Sequence, residues 1–133
     1  MSRQNVSGNS PWEPRVGFSR AVRIGDWIAV AGTVATGDDG GIVGAGDPYV
    51  QAKQTLRNIE TALKKAGVGL EHVIRTRMYV TDAAYAEAVG RAHVEAFGAV
   101  RPAATMVVVK ALVDPAMLVE IEADAVAPRP GGR

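Results

Sequence analysis

The side chains best suited to chemistry in this 133-residue chain lie near its C-terminal end, in RPAATMVVVKALVDPAMLVEIEADA (101–125). Glu120, Glu122 and Asp124 stand at alternate positions, and in a strand that spacing places all three carboxylates on one face. Such a row can position water or pair with cations. The opening half of the stretch reads as the partner strand of a hairpin, yet Pro102, Ala103 and Ala104 offer no side-chain chemistry. A cation must come from elsewhere. In HVIRTRMYV (72–80), alternation sets Ile74, Thr76, Met78 and Val80 on one face and Arg75, Arg77 and Tyr79 on the other. Arg77 is therefore a natural salt-bridge partner for Glu122 or Asp124.

Other chemistries are poorly supplied. Zero cysteines exclude disulfides, thiolate metal sites and a cysteine nucleophile, and suit a reducing, cytoplasmic setting. With only His72 and His93, an all-histidine metal cage within one chain is excluded, and no metal site or cofactor is expected. Either histidine could move protons near neutral pH, but neither stands at triad spacing from Ser19 or Thr105. GDDGG (37–41) lacks both the strand-to-helix setting and the lysine of a phosphate loop. The net charge of +1 gives no sequence-wide field for nucleic acid or an anionic membrane. The opening residues carry no apolar signal core, and no apolar run reaches the roughly 20 residues of a membrane span.

The elements that must position these side chains follow from periodicity. FSRAVRI (18–24) and WIAVAGT (27–33), separated by Gly25 and Asp26, read as a hairpin. Asp47 and Pro48 open a helix carrying Val50, Leu56, Ile59 and Leu63 at helical spacing until Gly67 closes it. A third strand covers 72–80, and a second helix covers 82–97 with Tyr85, Val89, Ala92, Ala96 and Phe97 on its apolar side. Two last strands, 104–111 and 117–126, are joined through Asp114 and Pro115. The order ββαβαββ predicts an α+β fold with two helices on one face of a mixed sheet. Residues 1–16 read as an irregular N-terminal arm, 17–127 as the folded domain and 128–133 as a flexible tail. The uncovered sheet face is either solvated or buried where several subunits meet; Val107, Val108 and Val109 favour burial on both sides of their strand.

Taken together, FSRAVRIGDWIAVAGT, QAKQTLRNIETALKKAG with its Asn58, VIRTRMYVTD and the closing stretch resemble the RidA/YjgF reactive-intermediate deaminases, also known as endoribonuclease L-PSP. The resemblance implies a chorismate-mutase-like fold assembled as a homotrimer, with an inner barrel of sheets and three clefts between subunits. It also implies cofactor-free hydrolysis of enamines and imines such as 2-aminoacrylate to ammonia and a 2-keto acid. By the same resemblance, Glu120 takes the role of the water-handling glutamate. The family's Ser-Gly step falls on Ala31 and Gly32, and its pocket tyrosine falls on Phe18. Its Pro-Ala-Arg-Ser/Thr motif falls on Pro102 to Thr105, so the arginine that grips the substrate carboxylate is Ala104 here.

A guanidinium holds a carboxylate by two charge-assisted bonds, each worth about 1.5 to 3 kcal/mol; a methyl group supplies neither. The expected function is therefore a homotrimer that binds a small, less acidic metabolite in its clefts without the standard deaminase reaction. Three alternatives stay open. A deaminase could use a relocated anchor at Arg77, Arg91 or Arg101; the chain could cleave RNA, which its charge balance disfavours; or it could be a purely structural trimer.

Overall fold

A computed structural model describes residues 2–129. Its main elements are β1 (Arg3–Val6), β2 (Ala21–Ile24), β3 (Trp27–Thr33), α1 (Pro48–Lys65), β4 (Val73–Val80), α2 (Ala86–Phe97), β5 (Ala103–Val108) and β6 (Val119–Val126). The strands form one mixed sheet in the order β1-β2-β3-β6-β4-β5, in which β4 and β5 run parallel and every other pair antiparallel. Both helices pack on one sheet face, giving the α+β layout expected.

Local chemistry explains the elements. Asp47 caps α1 by accepting from the Val50 amide at 3.1 Å, Pro48 occupies the first turn, and Gly67, at φ +90°, takes the left-handed turn that ends it. The stripe Leu56, Ile59 and Leu63 is buried against Ile28 and Val30 of β3, Val80 of β4 and Val119, Ile121, Ala123 and Ala125 of β6. Val89, Ala92 and Phe97 complete the core from α2, which starts later than its sequence suggests because Asp82 first caps a short 3-10 turn over Ala83–Tyr85. Two polar clamps fix the loops. Gln51, fully buried, donates to the carbonyls of Gly44 and Ala116 and accepts from the Leu118 amide. Asn58 donates to the carbonyls of Val34 and Thr36, holding the segment after β3 against α1.

Three expectations are corrected. The stretch 101–125 is not a hairpin, since β4 lies between β5 and β6 and pairs with both. The arm is not irregular: β1 pairs with β2 and buries Val6, and Glu13–Gly17 form a single π-helical turn. An edge strand with one buried apolar residue leaves too little alternation to be read. Ile74 is exposed and Val73 buried in its place, because the β4–β6 register shifts between Val73 and Arg75. In addition, β5 forms the far edge of the sheet, where Val107 and Val108 are exposed within one chain, so burial of this strand on both sides would need a second subunit. Of the tail expected to be flexible, residues 130–133 lie outside the described residues, while the Arg129 Nε donates to Asp26 at 3.2 Å.

Candidate functional site

The register of β3 against β6 breaks between Val30 and Thr33. At this irregularity sits Gly32, and the Glu120 side chain from β6 runs directly over it. A β-carbon at position 32 would collide with the carboxylate, so glycine is what lets Glu120 lie there. Glu120 is half-buried and forms no hydrogen bond to another described residue. Burial raises its carboxyl above the ordinary value of 4.5; Arg20 opposes the shift and Glu122 adds to it.

Arg20, which the sequence does not single out, stands beside these residues. It directly precedes β2, and its Nη1 donates to the Gly32 carbonyl at 2.7 Å and to Thr33 Oγ1 at 3.0 Å. Its guanidinium stands over the Phe18 ring, 5.4 Å from the centroid. Burial lowers its pKa, with Glu13 first and Glu120 second working against that loss of charge. Glu13 is itself buried, and both of its carboxylate oxygens accept from the Gly8 amide, at 3.0 and 3.1 Å. The π-helical turn of the arm thus brings one acid near Arg20, and β6 brings a second, Glu120. A signal was available: carrying the β2 alternation one residue back from buried Ala21 puts Arg20 on the open face with Glu120.

Phe18 and Ala31 join this neighbourhood. Both line an open cleft of ≈ 760 Å³ between the arm and the β2–β3 hairpin, together with Asn5, Glu13 and Ser19. Phe18, Arg20, Ala31, Gly32 and Glu120 therefore form one group.

The remaining candidates stand apart from it. Ala104 pairs with Thr76 and Thr105 with Arg77, while Glu120 pairs with Tyr79. Ala104 is thus two strands and three residues from Glu120, roughly 14 Å by ordinary sheet spacings. Paired strand residues share a face, so Ala104 lies on the helical side with buried Thr76, and Thr105 on the open side with Arg77. Arg77 is already engaged, 3.3 Å from Asp124 and 3.5 Å from Glu122; the Tyr79 hydroxyl donates to Glu122 at 2.8 Å. Arg91 stacks on the Tyr49 ring at 4.3 Å on the outer surface of the helical layer. His93 Nε2 lies 2.8 Å from Thr76 Oγ1, and burial lowers its pKa, which favours the neutral imidazole. It sits with Arg101 at a separate small cleft of ≈ 240 Å³. Among the described residues, no cluster of three or more His, Cys, Asp or Glu could hold a metal ion, and no helix is long and apolar enough to cross a membrane.

Comparisons with known proteins agree with this architecture. The family described as Endoribonuclease L-PSP matches residues 8–127. An uncharacterised protein of Streptomyces coelicolor is 43% identical over 92% of this chain and 90% of its own length. A RutC family protein of Pyrococcus horikoshii is 32% identical over 88% of this chain and 91% of its own. The crystal structure of Rv2704 from Mycobacterium tuberculosis, a member of the YjgF/YER057c/UK114 family, superimposes with a TM-score of 0.86 at 49% identity, covering 95% of this chain and all of that one.

Proposed function

The chain belongs to the RidA/YjgF family, the endoribonuclease L-PSP family, and from that membership we propose that it is a homotrimer binding a small metabolite in clefts between subunits, without the 2-aminoacrylate deaminase reaction of active members. The observation that carries the reading is the separation of Glu120 from position 104. Within one chain the two stand on opposite faces and two strands apart. A cleft that uses both needs β5 from a second copy. The composition of β5 supports such a contact: it is an edge strand with Val107 and Val108 exposed, a surface that a partner subunit would cover.

Ala104 then decides the chemistry. Whichever copy provides it, it brings a methyl group where the reaction needs a bidentate cation. Of the candidate replacement cations, Arg77 is engaged by Glu122 and Asp124, Arg91 lies on Tyr49, and Arg101 lines the separate small cleft beside His93. Glu120 remains as the acid of the cleft, with Arg20, Phe18, Ala31 and Gly32 around it and Thr105 contributed by a second copy. The reading calls on no cofactor, and the lack of cysteine fits a reducing cytoplasm.

The arrangement has a direct test, because the chain has no cysteine of its own. Ala31→Cys and Thr105→Cys, introduced together, are three strands apart within one chain. Treated with a short bis-maleimide, the double variant should yield covalent dimers and trimers on a denaturing gel, and each single variant should not. Monomers alone from the double variant would contradict an intersubunit cleft.

A further inference from the structure

Arg20 and Glu120 feel one another electrostatically, yet no hydrogen bond or ion pair joins them. Each keeps unused capacity. Among the described residues, Arg20 bonds through Nη1 alone, to Gly32 and Thr33. Among the described residues no buried side-chain nitrogen or oxygen lacks a partner, so the free Nε and Nη2 of Arg20 and both Glu120 oxygens are reachable from solvent. A tethered donor therefore stands near an acceptor that lies over Gly32, with the Phe18 ring against the guanidinium. We propose that Arg20 and Glu120 together read a neutral ligand with an amide-like group, its carbonyl oxygen accepting from Arg20 and its N–H donating to Glu120. The inference rests on the reading of Glu120 as part of a metabolite site and narrows it to a class of ligand.

Charge selects neutrality. Arg20 is one cation near two acids, Glu13 and Glu120, so the three groups together carry no net positive charge before any ligand arrives. The wider open face adds no surplus: Arg77 is shared by Glu122 and Asp124. A carboxylate placed at Arg20 would sit within reach of the Glu120 charge and be repelled by it. It would also require Glu120 to take up a proton. An amide meets the same donor and acceptor with no net charge to accommodate, and its planar group suits the aromatic wall at Phe18. The position is the chain's own substitute for what Ala104 lacks, but it is a hydrogen-bonding substitute rather than an anion trap.

The isosteric pair 2-oxobutanamide and 2-oxobutanoate separates the possibilities, titrated into the full-length protein while the Arg20 Nε–H and Gly32 amide signals are followed by NMR. The expected result is that the amide shifts both signals at roughly tenfold lower concentration than the carboxylate, the factor one unit of charge repulsion supplies in a partly solvated site. Glu120→Ala should abolish the response of the Gly32 amide, and Arg20→Lys should weaken it. Equal or tighter carboxylate binding, with the same signals moving, would overturn the neutral-ligand inference and leave the site standing. No shift with either compound would remove the site reading and the inference together.

Discussion

Gly32 and Glu120 are in such close contact that the backbone of one is the floor on which the carboxylate of the other rests. The group a β-carbon would strike is the free end of a flexible side chain, not backbone. Gly32→Ala should therefore cost little stability, because Glu120 can swing away, but it should move the carboxylate off Arg20 and out of the site. The variant should melt within a few degrees of the parent while losing its response to the amide probe. A melting temperature far below the parent would show that the contact is structural.

Burial makes Glu120 a cost to the fold at neutral pH. A carboxyl whose folded pKa is raised above its unfolded value binds its proton more tightly in the folded state, so stability falls as pH rises from the ordinary 4.5 through the higher folded value. Glu120→Gln removes that loss. The variant should be more stable than the parent at pH 7 to 8, with the advantage shrinking as pH is lowered to about 4. Thermal melts across that range test the sign. A variant less stable at pH 8 would mean that the Arg20 attraction outweighs desolvation.

How much of this was legible in the sequence differs between strands and site. The α1 cap at Asp47, the β2–β3 hairpin and the buried Val119–Ala125 alternation all follow from local periodicity, which the structure keeps. Strand adjacency does not. VDPA between β5 and β6 carries an ordinary turn signal, yet the chain crosses β4 there, a choice made by parallel pairing with a strand some thirty residues away. Glu120, Gly32 and Phe18 were found through the family resemblance, and the structure brings them together. Arg20 was not. Its role depends on Glu13, delivered by an arm whose polar composition hides both a strand and a buried acid.

Gln51 ties three loop groups to the middle of the fold, and no other described side chain bonds the Gly44 carbonyl, the Ala116 carbonyl and the Leu118 amide. Gln51→Ala would strand these groups and open a cavity beside the start of β6. The expected loss is about 3 kcal/mol, or roughly 10 °C in melting temperature for a domain of this size. Calorimetry measures it directly; a change under about 1 kcal/mol would mean that water replaces the clamp fully.

If Ala104 takes this chain out of the family's deaminase reaction while leaving the Glu120 site in place, the two positions should separate in an activity assay. The assay is keto-acid release from freshly generated 2-aminoacrylate, comparing the parent, Glu120→Ala and Ala104→Arg. The expected result is no acceleration by the parent over buffer, none by Glu120→Ala, and a gain by Ala104→Arg. Acceleration by the parent that disappears in Glu120→Ala would contradict it, and would make Arg20 the first place to look for the carboxylate anchor.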